Sequence, residues 1–363
     1  MAVSHYFLGA NSAGGFYSLY DELIDRETAQ TVFLLKGGPG CGKSTLMRRV
    51  GQQAEQAGLT VEYIRCSGDP DSLDGLVLPQ LGAAIADATA PHVLEPLCPG
   101  AVDRYVDLGQ HYDTAALHPL RPDILDCMAQ NKKAYRQGYH CLKAAAELGT
   151  DIREFLLTEE IKAKLEKRAR GIISREIRSC GLTDSKSTRR FLSGLTCQGA
   201  ITLWETIISG YPRVYELCDS YGAAHSLLVP IAEAAAAHRQ PAILCPNPLC
   251  PDRLEHLLLP ALGLAFVTST PASPYPGRAY RRLHLDALLS SREVYRKNRA
   301  RIRFSRKMAL SLLNEGLDAL AEAKTIHDRL ESIYHPHVNF AAVQAQADLL
   351  SAELLGQAVT ANP

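Results

Sequence analysis

The sequence has no excess of charge of either sign, because 39 lysine and arginine residues stand against 39 aspartate and glutamate residues among 363. Proteins that bind nucleic acid non-specifically usually carry a basic excess, so any such surface here must be local. Long apolar runs are also missing, and residues 257–268 fall short of the roughly 18 to 20 residues that a membrane span needs. The first ten residues lack a secretory signal pattern. We therefore expect a cytoplasmic protein with no membrane partner.

The ten cysteines show no metal-binding pattern. Only Cys245 and Cys250 lie close together, and no second pair of Cys or His follows at the spacing of a zinc site. We expect reduced thiols that pack as small apolar groups. The hydrophobic fraction of 46% and the charged fraction of 21% are those of a globular protein, and the length suggests two or three domains.

One glycine-rich segment stands between a strand pattern and a helix pattern. Residues 31–36 are rich in strand formers, and residues 44–57 have a helical pattern that Gly58 closes. The segment between them matches the phosphate-loop motif G-x-x-x-x-G-K-[ST] in full. The motif and the residue after it comprise Gly37, Gly38, Pro39, Gly40, Cys41, Gly42, Lys43, Ser44 and Thr45.

This motif predicts a site for a nucleoside triphosphate with Mg²⁺. Glycines allow positive φ angles, and the successive backbone N–H groups with the helix N-terminus form a cradle for negative charge. Lys43 is expected to reach the β- and γ-phosphates, Ser44 to hold Mg²⁺, and Thr45 to lie near the α-phosphate. No N-K-x-D guanine-reading motif is present, so ATP is expected rather than GTP.

A second acidic group must order the metal at the end of a neighbouring strand. Asp87 is the candidate, because four apolar residues, 83–86, precede it as in a Walker B strand. The alternative is a turn or N-cap aspartate. His92, which follows a proline in the next turn, is a candidate for positioning water or sensing the γ-phosphate, or else an ordinary turn residue.

Acidic residues also follow the second predicted strand, residues 60–66. They are Asp69, Asp71 and Asp74, at the sheet edge where α/β folds bind ligands. Asp69 and Asp71 are similar to the substrate-binding acidic pair of small-molecule kinases. Asp71 is equally suited to cap a helix after it. Both roles stay open.

The chain also repeats itself. Residues 5–14 align with 190–199, 19–21 with 203–205, and 69–82 with 250–263. In the last pair, six residues recur in order: Pro70, Asp71, Leu73, Pro79, Leu81 and Gly82 return as Pro251, Asp252, Leu254, Pro260, Leu262 and Gly263.

The second copy has lost the residues that bind phosphate and metal. In this alignment Gly37 becomes Asp219, Gly42 becomes Ala224, Lys43 becomes His225 and Asp87 becomes Thr268. An aspartate in the loop repels phosphate, and the lysine charge is missing. We therefore expect a degenerate second domain that does not bind Mg-nucleotide.

The chain resembles a largely uncharacterised bacterial family of tandem P-loop ATPases. The resemblance covers nearly the whole chain and is carried by residues 5–7, 37–45, 66–75 and 87–92. It implies ATP binding and hydrolysis, without naming a substrate. That family commonly keeps a phosphate loop in both halves, and this sequence departs from the pattern in its second half.

Helical patterns follow each sheet region, as if a long helical hairpin were appended to each domain. Two stretches of these helical patterns are basic. They are interpreted either as helix faces exposed to solvent or as arms that bind a macromolecular partner, which includes nucleic acid. Arg299 or Arg303 could also reach a γ-phosphate. The stretches contain Lys162, Lys164, Lys167, Arg168, Arg170, Arg175 and Arg178, and then Arg292, Arg296, Lys297, Arg299, Arg301, Arg303, Arg306 and Lys307.

The sequence thus predicts an α/β protein with two tandem P-loop NTPase-type parallel-sheet domains. The first spans residues 1–183 with a helical insertion at about 121–180, and the second spans 184–363 with a helical part at about 287–356. The expected function is Mg-dependent ATP hydrolysis in the first domain that drives a conformational change. The alternatives are a small-molecule kinase, and a nucleotide-gated protein that binds a partner or nucleic acid with little turnover.

Overall fold

The computed structural model describes residues 3–90, 94–178, 186–290 and 293–360. Within these ranges the protein is a mixed α/β fold built on two six-stranded sheets. None of the helices described is both long enough and apolar enough to cross a membrane.

The first half begins with a strand, a short hairpin and the buried strand that leads into the glycine-rich segment. Its elements are β1 (Val3–Phe7), β2 (Gly9–Ser12), β3 (Gly15–Ser18), β4 (Thr31–Lys36), α1 (Lys43–Gln56), β5 (Val61–Arg65), β6 (Leu73–Leu78), β7 (Ala83–Asp87), β8 (Asp103–Asp107), α2 (Thr114–Leu117), α3 (Arg121–Leu156) and α4 (Glu159–Glu176).

The second half repeats this order with small changes. Its elements are β9 (Thr188–Arg189), β10 (Ser193–Thr196), β11 (Gly199–Thr202), α5 (Trp204–Gly210), β12 (Arg213–Cys218), α6 (Ala224–Ala237), β13 (Ile243–Pro246), β14 (Leu254–Leu259), β15 (Leu264–Ser269), β16 (Arg281–His284), α7 (Leu285–Ser290), α8 (Glu293–Lys297), α9 (Arg299–Tyr334) and α10 (Phe340–Thr360).

The two sheets have the same strand order. The first runs β1-β5-β6-β7-β4-β8 and the second, in matching order, β9-β13-β14-β15-β12-β16. The expectation of parallel sheets is wrong for one strand in each, because β6 and β14 run antiparallel to both of their neighbours. Only residues 66–72 join β5 to β6, and so short a connection suits antiparallel strands, since a parallel pair needs a crossover of a dozen or more residues.

The two halves meet at equivalent phenylalanines. Phe7 and Phe191 exchange two backbone hydrogen bonds of 2.9 Å each. Gly15 and Gly199 have matching left-handed φ angles of 102° and 104° at the turns of their hairpins. The sequence alignment of residues 5–14 with 190–199 is therefore displaced by one residue, because it pairs Gly14 with Gly199. Local similarity cannot detect such a shift, whereas the turn geometry fixes it.

The long helices α3 and α9 pack together in antiparallel directions. Asn131 on α3 donates 2.8 Å to the carbonyl of Ala323 on α9, and Gly138 lies against Gly316. A Cβ atom at either glycine would stand 3.3 Å from the carbonyl oxygen of the other. The two backbones approach closely at this crossing, which therefore requires small residues.

The prediction of a helical hairpin on each domain is wrong, because the last helix of each half packs on the opposite half. Helix α4 contributes Leu165 and Ile172 to the core of the second half, around α6. Helix α10 contributes Leu350 and Leu354 to the core of the first half, against α1. The glycine-rich loop of the first half is consequently bordered by helices from the second.

Candidate functional site

The glycine-rich loop, residues 37–42, connects β4 to α1. Gly40 and Gly42 have positive φ angles of 69° and 90°, which non-glycine residues adopt only with strain. A Cβ atom at Gly37 would stand 2.6 Å from the sulfur of Cys41. No side chain caps the N-terminus of α1. The loop therefore turns tightly and ends at the positive end of the helix dipole.

Lys43 is the first residue of α1, and its ammonium group lies back over the loop. The Nζ atom donates hydrogen bonds of 2.7 Å to the carbonyl of Gly37 and 2.9 Å to that of Gly38. It also lies 3.5 Å from Oδ2 of Asp87, and only 12% of the lysine side chain is exposed. Two loop carbonyls therefore fix the position of the ammonium, and its other contacts, with Asp87 and with Sγ of Cys41 at 3.9 Å, are longer.

Asp87 ends β7, the strand that pairs with β4, and lies opposite Leu35. Its Oδ1 atom accepts a hydrogen bond of 2.9 Å from the backbone N–H of Thr89 and another from the Thr89 hydroxyl, while Oδ2 faces Lys43. Burial raises the pKa of this carboxyl, an effect that the charge of Lys43 opposes. The prediction that Asp87 terminates a buried strand beside the loop strand is confirmed.

Ser44 lies in the first turn of α1 next to Lys43. Its hydroxyl oxygen accepts a hydrogen bond of 2.9 Å from the backbone N–H of Leu73, which leaves a lone pair for a cation. The next residue, Thr45, is exposed. The oxygens of Ser44 and Asp87 are the donor type that Mg²⁺ prefers, so these side chains fit a magnesium site.

Asp74, one of the three acidic residues that follow the second strand pattern, has a buried side chain. It lies on β6 and accepts a hydrogen bond of 3.1 Å from the hydroxyl of Tyr20. Its negative charge also raises the pKa of Asp87, so the two carboxyls lie near one another. The available signal was the charged residue inside the apolar run 73–78, since a buried strand rarely contains an acid without a reason.

Asp69 and Asp71 lie in the connection before β6. Asp69 accepts hydrogen bonds from the N–H of Asp71 and the hydroxyl of Ser72, both 3.2 Å, and lies 3.4 Å from Lys324 of α9. Asp71 accepts a hydrogen bond of 2.7 Å from the side-chain amide of Gln198 in the second half. The expected helix after Asp71 is wrong, because β6 follows.

Neither Asp69 nor Asp71 forms a hydrogen bond or ion pair with Lys43, Ser44 or Asp87 in the described part of the chain. The observed contacts stabilise a turn and join the two halves. The other proposed sensor, His92, lies outside the described residues.

Residues from α9 and α10 cover the loop. Glu331 accepts a hydrogen bond of 3.2 Å from the backbone N–H of Gly40, through its Oε1 atom. Val343 and Phe340 lie within 4 Å of the place where a Cβ atom of Gly42 would stand. These residues come almost 300 positions later in the chain, so no local pattern could have indicated them. One backbone N–H group of the loop is thus already bound to a carboxylate of the same chain.

The corresponding loop of the second half, residues 219–223, is filled by its own side chain. The buried carboxylate of Asp219 accepts hydrogen bonds of 2.6 Å from the N–H of Ala224 and 3.0 Å from the N–H of Tyr221. Burial raises the pKa of Asp219, against the effect of these N–H groups. The aspartate therefore binds the start of α6 where an anion would bind, rather than only repelling phosphate.

The equivalence of Lys43 with His225 is displaced by one residue. Nδ1 of His225 accepts 3.0 Å from the N–H of Leu254, just as Ser44 accepts from the N–H of Leu73. His225 therefore matches Ser44, and the position of Lys43 is taken by Ala224. The cause is a loop that is one residue shorter, which an ungapped alignment cannot show. Thr268, opposite Leu217, does match Asp87 in register.

No protein-family model, curated protein or solved structure matches this chain.

Proposed function

We propose that the first half is a P-loop NTPase domain that binds ATP with Mg²⁺ and hydrolyses it. The observation that carries the proposal is the position of Lys43, whose ammonium is fixed by two loop carbonyls and lies 3.5 Å from Asp87 at the uncapped start of α1. A polyphosphate at the glycine-rich loop is favoured by the lysine charge, by the backbone N–H groups and by the helix dipole. The nucleotide base is assigned as adenine because the guanine-reading motif is missing.

Catalysis in this proposal rests on positioning and charge. Lys43 stabilises negative charge on the transferred phosphoryl group, because its ammonium is held before the phosphate arrives. Ser44 and Asp87 would hold Mg²⁺, which neutralises phosphate charge when it is bound. The second half, with Asp219 in its loop, serves as a scaffold whose helices α9 and α10 border the first site.

The experiment that tests this proposal is phosphate release and equilibrium ATP binding by the purified protein, with Mg²⁺ and then with EDTA. We expect binding that saturates, and phosphate release that requires Mg²⁺. Saturable ATP binding without phosphate release would contradict the proposed hydrolysis but would support the proposed binding site. Failure to bind ATP in either condition would overturn the proposal.

The nucleotide-gated alternative is favoured by one contact, the hydrogen bond from Gly40 to Glu331. A phosphate oxygen that accepts a hydrogen bond from the Gly40 N–H must displace this carboxylate. Because Glu331 is part of α9, its displacement would shift that helix. The kinase alternative has no comparable support, because Asp69 and Asp71 are engaged in turn contacts and in contacts with Lys324 and Gln198.

The variant Glu331→Gln is expected to bind ATP more tightly than the wild type, by about two- to fivefold, because a half-exposed charge repelling the phosphates is removed. The measurement is the Kd for ATP at low ionic strength. Glu315→Gln is the matched control, since Glu315 is an exposed residue of the same helix away from the loop. Equal affinity in wild type and Glu331→Gln would show that the carboxylate does not oppose nucleotide.

A further inference from the structure

The degenerate loop of the second half is bordered by arginines from three separate elements. A Cβ atom at Gly222 would lie 3.5 Å from Nη1 of Arg153 on α3 and 3.9 Å from Nη2 of Arg253, which precedes β14. Arg306 on α9 lies 4.9 Å above the ring of Tyr221 and donates 3.1 Å to its hydroxyl. The two guanidinium groups of Arg153 and Arg253 thus meet at one point of the loop.

These arginines have no carboxylate partner within ion-pair distance in the ranges that the structure covers. Arg153 donates to the hydroxyl of Thr150 at 2.8 Å, and Arg253 to the carbonyl of Gly222 at 2.7 Å. Arginine that is half-buried usually pairs with an acid. Two like charges brought together without one leave a positive potential at the rim of the loop.

The surrounding titratable groups support this view. The pKa of Arg253 is lowered, first by burial and then by the charge of Arg153, although Asp252 and Asp219 act in the opposite direction. The pKa of His225 is lowered by burial and by Arg253. Because its Nδ1 accepts a hydrogen bond of 3.0 Å from the N–H of Leu254, that nitrogen carries no proton, and Nε2 is the protonated nitrogen of the ring.

Two of the nearby acids, Asp219 and Asp286, are engaged elsewhere, whereas the exposed Asp252 raises the pKa of Arg253 without forming an ion pair with it in the described part of the chain. Asp219 binds the N–H groups at the start of α6, and the carboxylate of Asp286 accepts 2.7 Å from both the N–H and the hydroxyl of Ser220. They exclude an anion from the interior of the loop. Among the described residues they form no ion pair with the guanidinium groups at its rim, and Arg153 and Arg253 each make one side-chain hydrogen bond, which leaves N–H donors for a ligand.

We propose that this rim is a second, metal-independent site for a phosphorylated small molecule, bound by Arg153 and Arg253 with the Nε2–H of His225 as a further donor. Guanidinium groups suit phosphate because their paired N–H donors match two phosphate oxygens. Magnesium has no part in it, since His225 and Thr268 stand where the first half has Ser44 and Asp87. The two halves would then bind two anions of different kinds.

The test uses pyrophosphate as the probe, in EDTA, with the full chain carrying Lys43→Ala so that the first site does not contribute. Calorimetry is expected to show binding, and Arg153→Gln in this background is expected to weaken it about tenfold through loss of a charged hydrogen bond. Arg278→Gln, which changes an exposed arginine distant in sequence from the loop, is the matched control. Repeating the titration with inorganic phosphate and with ADP distinguishes a simple anion site from one that needs a phosphorylated organic group.

Arg253→Lys gives a second, independent variant, because it keeps the charge and loses the paired donors. It is expected to weaken pyrophosphate binding while leaving the unfolding temperature of the ligand-free protein close to that of its parent. Absence of pyrophosphate binding to the Lys43→Ala protein would overturn the proposal. So would binding that Arg153→Gln and Arg253→Lys leave unchanged.

Discussion

Replacing Lys43 with alanine is expected to weaken ATP binding by about a hundredfold and to abolish measurable phosphate release. The ammonium makes charge-assisted hydrogen bonds to phosphate oxygens, each worth about 1.5–3 kcal/mol, and no other cation contacts the loop in the described part of the chain. The loss also affects Asp87, because the cation that opposes the effect of burial on its pKa is removed. Its carboxyl then becomes harder to ionise, which further impairs metal binding.

The measurement is the Kd for ATP with and without Mg²⁺, beside single-turnover phosphate release. Lys133→Ala is a suitable control, because it removes an exposed lysine of α3 that has no contact with the loop. The circular dichroism spectrum and unfolding temperature of each variant show whether the fold is retained. An ATP affinity in Lys43→Ala equal to that of the wild type would refute the proposed site.

The local features of the first half could be predicted from the sequence because each depends on neighbouring residues. The start of α1 at Lys43, its C-terminal glycine at Gly58 and the end of β7 at Asp87 all lie within a residue or two of the predicted positions. Glycines that need positive φ, an apolar strand and a helical period specify these elements without any distant contact.

The distant features could not be predicted in the same way. An amphipathic helix such as α4 specifies that an apolar face must be buried, but not which core buries it. Both α4 and α10 pack on the half opposite to the one they follow in sequence. For that reason the contact between Glu331 and Gly40, and the meeting of Arg153 with Gly222, appear only in the folded chain.

The two loops carry opposite charges, and the helix residue that contacts each loop is opposite in charge to it. The first loop is followed by Lys43 and is met by the acid Glu331 from α9. The second contains the acid Asp219 and is met by the base Arg153 from α3. Each loop therefore faces a residue of opposite charge from one of the two long helices, so an anion bound at either loop, as proposed above, would change the charge balance at the α3–α9 pair.

Asp87→Asn is expected to separate nucleotide binding from metal dependence. Asparagine keeps the shape of the side chain and can still accept from the N–H of Thr89, while the charge that faces Lys43 is lost. In EDTA, ATP affinity should be unchanged or higher, because a negative charge beside the phosphates is removed. With Mg²⁺, phosphate release should fall about a hundredfold, a loss comparable to that of other preorganised electrostatic groups.

The readout that decides this prediction is the Mg²⁺ concentration needed for half-maximal ATP binding, which should rise in Asp87→Asn. Asp107→Asn provides the control, since Asp107 ends β8, the strand on the other side of β4, and accepts 2.8 Å from the N–H of Gly109. The two variants remove the same charge from equivalent strand ends on opposite sides of the loop strand. If both shifted the Mg²⁺ requirement equally, the effect would come from net charge near the sheet edge, and Asp87 would lose its assignment as a metal ligand.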